Sequence, residues 1–191
     1  MRAIQTMMAE HQTILRVLAS LEKLVTDGAH TEEPADTFAK AARFLREYAD
    51  ALHHGKEEDL LFPAMESSGL QPEAGPTAVM RVEHDEGRAL VRRMREISEA
   101  EPFDRATFAE PALEFVALLR AHIGKEDHIL YPMAQRILRE TNMHALDKAC
   151  ERADAANFEA TMATEWEAWA RQLASRLGVD QNRFEVSPHC H

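Results

Sequence analysis

The chain reads His53-His54-Gly55-Lys56-Glu57-Glu58-Asp59-Leu60-Leu61-Phe62-Pro63 in its first half, and 69 residues later it reads His122-Ile123-Gly124-Lys125-Glu126-Asp127-His128-Ile129-Leu130-Tyr131-Pro132. Six of the eleven positions are identical, and three more exchange chemically similar residues. A match of this length without a gap indicates an internal duplication, so the two copies are expected to occupy equivalent places in the fold.

Both copies contain the pattern His-x-x-x-Glu, as His53 with Glu57 and His122 with Glu126. On an α-helix, residues four apart lie about 40° apart around the axis, so an imidazole and a carboxylate point the same way. Such a pair is half of a site for a divalent metal ion. Two copies facing each other across a helical bundle would complete the site, as in di-iron carboxylate proteins.

The first copy also allows His54 to pair with Glu58 at the same spacing. The counterparts of these two residues are Ile123 and Asp127, so the duplication favours the pair formed by His53 and Glu57. We therefore predict that His54, Glu58, Asp127 and His128 lie around the site or on the surface.

Composition limits the class of protein. The chain has 191 residues and a formal net charge of −11, which suits one domain and disfavours nucleic acid or an anionic membrane as partners. No apolar run is long enough to cross a membrane, the first residues do not resemble a signal peptide, and the two cysteines cannot form a disulfide framework. We expect a soluble, cytoplasmic, all-α protein, since strand-like alternation is scarce.

Hydrophobic periodicity predicts four helices in residues 1–142. The first covers 3–26, the second begins at Asp36 and contains the first motif, the third begins at Pro76, and the fourth begins at Asp104 or Thr107 and ends between 140 and 142. Pro63 should kink the second helix or begin its end. Short connections predict an up-down antiparallel four-helix bundle made of two hairpins.

The remaining residues form a predicted helical extension over 143–178 and a flexible tail over 179–191. An aromatic and apolar stripe in the extension favours packing against the bundle, and it consists of Phe158, Met162, Trp166, Trp169 and Leu173. The extension would cover one end of the bundle or form a homodimer contact. The tail ends in His189-Cys190-His191, which would bind metal only adventitiously.

The first and third helices each contribute one more histidine. Glu10-His11 resembles Glu83-His84 at an offset of 73, and each pair lies one helix before a motif. The predicted metal ligands are therefore His11, His53, Glu57, His84, His122 and Glu126. Both glutamates can bridge two ions, but the sequence leaves open which histidines serve the same ion.

The chain resembles the hemerythrin-like, or HHE cation-binding, family. The resemblance rests on His11, the two His-x-x-x-Glu motifs with their trailing Phe-Pro and Tyr-Pro, and His84, and it covers roughly the first 140 residues. It implies a four-helix bundle that holds two iron ions, bridged by carboxylate or oxo groups. Unlike the oxygen-carrying hemerythrins, this chain has no second histidine in the third helix, where Gly87 and Arg88 follow His84.

The same resemblance implies that the partner is dioxygen or another small oxidant, bound for sensing, storage or scavenging. A di-iron enzyme with peroxidase or catalase-like activity is an alternative, as is iron storage or handling, so whether the protein is an enzyme stays open. Imidazole and carboxylate ligands also suit manganese and zinc. We expect an apolar lining around an open coordination position, formed by Met8, Leu15, Leu60, Met80 and Ile129.

Overall fold

A computed structural model describes residues 1–30, 32–155 and 157–184, with the side chains of 157–160 left out. Its elements are all helical, and no strand occurs among these residues. The helices are α1 (Arg2–Thr26), α2 (Ala35–Phe44), α3 (Phe62–Ser67), α4 (Pro76–Ser98), α5 (Arg105–Lys125), α6 (Tyr131–Ile137), α7 (Glu140–Ala155) and α8 (Asn157–Arg176). Within the described ranges, no helix is both long and apolar enough to span a bilayer.

Three π-helical segments join some of these helices without a break: π1 (Leu45–His54), π2 (Glu57–Leu61) and π3 (Glu126–Leu130). The second long rod of the bundle is therefore α2, π1, π2 and α3, and the fourth is α5, π3 and α6. Together with α1 and α4 these rods form the predicted up-down four-helix bundle. The all-α prediction is confirmed.

The hydrophobic core has two parts, one on each side of a polar layer. One part contains Ile14 and Leu18 of α1 and lies toward the connection between α1 and α2. The other contains Met7 of α1, with Leu61 and Leu130 from the second and fourth rods. The predicted histidines and glutamates occur between these two sets along each rod, so the fold buries them at mid-bundle.

The π turns correct the predicted helix phase. A π turn bonds to the fifth residue back instead of the fourth, as Phe62 N–H does to Glu57 O, and so adds a residue to the turn. Leu61 is consequently buried, while Ile129, predicted to line the metal face, is 53% exposed. Met8 is 38% exposed and was also wrongly placed in that lining.

The same turns explain how the second rod continues past a proline. Pro63 follows π2 directly and falls in the first turn of α3, where its missing N–H is not needed. The rod then ends at Ser67, so Pro63 begins the end of this helix as predicted, without interrupting it. The fourth rod ends at Ile137, slightly before the predicted range, because Leu138 has extended backbone.

The predicted helix starts are partly correct. Asp104 caps α5 by accepting hydrogen bonds from the backbone N–H groups of Ala106 and Thr107. Asp36 does not cap α2, which begins at Ala35 after Pro34.

Helices α7 and α8 pack along the bundle. Trp166 is 6% exposed and packs edge-on against Phe44 at a ring distance of 5.6 Å, so the aromatic stripe is core packing as predicted. The stripe residue Phe158 lies outside the described side chains. The tail residues His189, Cys190 and His191 lie outside the described residues, as does all of 185–191.

Candidate metal centre

The six predicted metal ligands meet in the polar layer. Each is at most 1% exposed, which is unusual for charged and polar side chains. All four rods of the bundle contribute: His11 from α1, His53 and Glu57 from the second rod, His84 from α4, and His122 and Glu126 from the fourth rod.

The histidines form two pairs. His11 Nε2 lies 2.9 Å from His53 Nε2, and His84 Nε2 lies 3.0 Å from His122 Nε2. Each pair joins a single histidine from α1 or α4 with one from a motif. The geometry therefore favours one of the two pairings that the sequence left open.

Both carboxylates lie between the pairs. Glu126 Oε2 is 3.2 Å from His11 Nε2, and its Oε1 is 2.9 Å from His122 Nε2. Glu57 Oε2 is 3.5 Å from His84 Nε2 and 4.0 Å from His53 Nε2. Each carboxylate thus faces one histidine of each pair, the position that a bridging ligand requires.

A carboxylate accepts a hydrogen bond from the other ring nitrogen of every one of these histidines. His11 Nδ1 contacts Asp127 at 2.8 Å, and His84 Nδ1 contacts Glu58 at 2.6 Å. A carboxylate on Nδ1 holds the proton there and leaves the Nε2 lone pair directed into the site. The prediction that Glu58 and Asp127 lie around the site agrees with this arrangement.

The motif histidines are held by two glutamates that sequence reasoning missed. Glu10 contacts His53 Nδ1 at 2.8 Å, and Glu83 contacts His122 Nδ1 at 2.8 Å. Each glutamate also forms a close ion pair with the lysine of the same motif, Lys56 with Glu10 and Lys125 with Glu83. The two hairpins therefore repeat these contacts, and the repeated Glu-His pairs and lysines were the signal in the sequence.

The network is not symmetric at Tyr131 and its counterpart Phe62. The Tyr131 hydroxyl donates to Glu57 Oε1 at 2.8 Å and lies 3.4 Å from His11 Nε2. Phe62 instead packs against the His84 ring at 5.9 Å. A phenol is thus present at the pair formed by His11 and His53 and is replaced by an apolar ring at the other pair.

His54 also belongs to the buried layer. It is 5% exposed and its ring stacks on His84 at 3.8 Å, so the surface alternative for this residue is wrong. Ligand atoms of His54, Glu57, His84 and His122 lie within 4.8 Å of one another, as do those of a second group, His11, His53 and Glu126. His128, in contrast, is exposed.

The buried histidines and carboxylates of the layer shift each other's pKa values. Burial alone would lower the pKa of His11, but the nearby carboxylates of Asp127 and Glu126 raise it to about 10. His84 behaves alike: burial would lower its pKa, while Glu57 and Glu58 raise it to about 9. Burial would raise the pKa of Glu126, but His11 and His122 hold it well below its usual range.

The donor set fits metal ions. Among the described residues, Glu57 Oε2 and both Glu126 oxygens are buried without a hydrogen-bond partner, since their contacts with the histidines lack hydrogen-bond geometry. Two imidazole nitrogens approach to 2.9 or 3.0 Å only with a proton or a cation at hand. Ligands at right angles around an ion, with metal–nitrogen distances near 2.1 Å, lie roughly 3 Å apart.

The fold and this layer define an all-α bundle protein with a buried, His-rich site suited to metal ions. A family model described as the hemerythrin HHE cation binding domain matches residues 2–134. The chain belongs to this family.

Two kinds of relative are similar to part of the chain. An uncharacterized protein of Mycobacterium tuberculosis is 26% identical over 144 residues, which are 71% of this chain and 54% of that protein. The iron-sulfur cluster repair protein YtfE of Salmonella schwarzengrund is 29% identical over 126 residues, which are 60% of this chain and 55% of that protein. The chain thus spans about half the length of these relatives. No solved structure gave a significant match.

Proposed function

We propose that the protein binds two iron ions in this layer and uses them to bind dioxygen or a related small oxidant. The observation that carries the proposal is the arrangement of four buried histidines, each with Nδ1 on a carboxylate and Nε2 directed toward two shared glutamates. In this proposal His11 and His53 would hold one ion, His84 and His122 would hold the other, and Glu57 and Glu126 would be shared between them.

The ligand set favours an oxidant-binding role over simple iron oxidation. Two glutamates neutralise only half the charge of two divalent ions, so the site stabilises the ferric state less than a site with four carboxylates. Ferrous iron, when bound, supplies the electrons that dioxygen accepts. The apolar layers on either side, with Met7 and Leu18 both fully buried, exclude water from the site.

Tyr131 is the residue best placed to act on a bound oxidant. Its hydroxyl is fully buried and already within 2.8 Å of Glu57 and 3.4 Å of His11 Nε2. Burial and the Glu57 carboxylate raise the pKa of this phenol well above its usual range. It therefore remains a hydrogen-bond donor at all physiological pH values, and its proton is not released readily.

The test is anaerobic loading with ferrous iron, followed by admission and removal of oxygen while the optical spectrum is recorded. We expect two iron ions per chain and an absorption band that appears with oxygen and disappears on its removal. His11→Ala and His84→Ala should each reduce the iron content. His128→Ala is the matched control, since it removes an exposed histidine and should leave iron content unchanged.

Three results would count against the proposal. Absence of iron binding, or equal loss of iron in His128→Ala, would contradict the metal site itself. A band that persists after oxygen is removed would favour iron oxidation and storage. Continuous consumption of hydrogen peroxide by the iron-loaded protein would favour a peroxidase or catalase-like enzyme.

Iron handling is the second candidate, and the similarity to the iron-sulfur cluster repair protein YtfE favours it. On this alternative the layer would release its iron to an acceptor instead of retaining it. Incubation of the iron-loaded protein with an apo iron-sulfur protein under reducing conditions distinguishes the two. Retention of both ions supports oxidant binding, and transfer supports iron handling.

A further inference from the structure

A cavity of about 290 Å³ lies beside the pair formed by His84 and His122. The buried residues His54 and His84 form its inner end, and the exposed residues Arg46 and Arg92 mark its outer end. Its walls include Leu45 and other apolar side chains. This volume is near the lower end of the range for small-molecule sites.

The duplicated hairpin provides an internal comparison. At the offset of 73, the cavity residue Gly87 corresponds to Ile14, which is 1% exposed in the core. At the offset of 69, His54 corresponds to Ile123, which is 3% exposed. Isoleucines thus occupy both positions on the side of the bundle formed by α1 and α5. The side formed by α4 and the second rod has a glycine and a histidine there, so the cavity is a departure from the repeat.

The inner end of the cavity offers a free hydrogen-bonding atom. His54 is 5% exposed, and among the described residues its Nδ1 has no hydrogen-bond partner, since Asp50 Oδ1 lies 3.6 Å away. A buried polar atom of this kind is costly unless a ligand or water satisfies it. It therefore indicates that the inner end of the cavity holds water or a ligand beside this atom.

The charge at the outer end of the cavity favours an anionic ligand. Arg88 is occupied by Asp50, Asp85 and Glu58, and Arg95 lies 3.4 Å from Glu99. In the described part of the chain, Arg46, Arg92 and Glu96 have no ion pair within 4.0 Å. Two free guanidinium groups and one free carboxylate leave a net single positive charge in a protein whose formal charge is −11.

The apolar walls of the cavity favour a ligand with an apolar organic part. Leu45 and Val91 are buried, and the ring of Phe115 faces Gly87, where a Cβ atom would lie 3.4 Å from Phe115 Cε2. We propose that the cavity binds a small organic monocarboxylate, with its carboxylate on Arg46 and Arg92 and its body between these apolar walls. The site does not depend on the identity of the metal or on the oxidant chemistry proposed above.

The test is calorimetric titration of the full-chain protein, as purified, with benzoate. We expect saturable binding of one benzoate per chain. Arg46→Gln and Arg92→Gln should each weaken binding by about tenfold, as expected for loss of one charged hydrogen-bonding group. Arg136→Gln is the control, since Arg136 is exposed and remote from the cavity lining, and it should leave the affinity unchanged.

Gly87→Ala tests whether benzoate binding can be weakened without a loss of stability. The added methyl group narrows the cavity beside Phe115 and removes a glycine from the interior of α4, so benzoate affinity should fall while the melting temperature is maintained or rises. Absence of saturable binding would overturn the proposal. So would equal weakening by Arg136→Gln, unchanged affinity in both cavity arginine variants, or sulfate binding as tightly as benzoate.

Discussion

The two lysine–glutamate pairs make a matched test of burial, because the same chemistry occurs in both hairpins at different depths. In the pair formed by Lys56 and Glu10 the side chains are 3% and 9% exposed. In the pair formed by Lys125 and Glu83 they are 38% and 16% exposed. We therefore expect Glu10→Gln to destabilise the protein more than Glu83→Gln.

The expected loss of stability depends on the interactions that remain for the lysine after each substitution. Both variants weaken the same kind of hydrogen bond to a histidine Nδ1, so this loss cancels in the comparison. Glu10→Gln leaves the buried Lys56 ammonium with only Asp154, at 2.7 Å, which places its cost near the lower end of the roughly 3–5 kcal/mol for breaking a buried pair. Lys125 can turn to solvent, and loss of an exposed pair costs about 0–1 kcal/mol.

The expected difference between the variants is about 2–3 kcal/mol, or roughly 5–10 °C in melting temperature for a chain of this size. The assay is thermal and urea unfolding followed by circular dichroism, on protein treated with a chelator so that metal binding does not contribute to stability. Equal destabilisation, or a greater loss in Glu83→Gln, would show that the depth of these pairs does not determine their energetic role.

Three further predictions concern protons, helix phase and the phenol. Because the pKa values of His11 and His84 are raised to about 10 and 9, their contribution to the stability of chelator-treated protein is complete below about pH 6.5 and is lost as pH rises through 9 to 10. Metal uptake at pH 7 should accordingly release at least two protons per chain, measured with an indicator dye in weak buffer, and release of fewer than one would contradict these protonation states. Leu61→Ala should cost about 2–5 kcal/mol in urea unfolding and Leu60→Ala clearly less, and the reverse order would contradict the π turn. Tyr131→Phe should cost about 1.5–3 kcal/mol in the same assay, since Glu57 Oε1 loses a charged hydrogen bond, and a stability equal to that of the unchanged protein would argue against this bond.

The repeated motif was sufficient to predict the bundle and to bring six side chains into one layer. The duplication gave the positions, and the four-residue spacing gave the direction of each pair. The motif could not predict which histidines pair with each other, because pairing depends on how the rods are rotated against each other. The contacts of His11 with His53, at 2.9 Å, and of His84 with His122, at 3.0 Å, distinguish the two arrangements.

Two errors had a signal in the sequence that was not used. The counterpart of His54 is Ile123, and an isoleucine in one copy indicates a buried position in both. The prediction uses Ile123 only to favour His53 over His54 as a ligand. The predicted helix phase was wrong because it assumes 3.6 residues per turn along the full length of the second and fourth rods. A proline six residues after each motif glutamate, at Pro63 and Pro132, was less visible evidence that both rods depart from that geometry in the same place.

The duplication also shows which site residues are repeated in both hairpins and which occur in only one of them. The histidines, Glu57 and Glu126 between them, and the carboxylates on Nδ1 occur in both hairpins, so they serve the property that both halves share, which we propose to be holding a metal ion. Tyr131 and His54 have no polar counterparts, since Phe62 and Ile123 occupy the equivalent positions. A hydroxyl beside one histidine pair and a cavity beside the other make the two positions chemically unequal. Any reaction that treats the two ions differently must therefore depend on these unmatched residues, whose substitution should alter reactivity while leaving two metal ions bound.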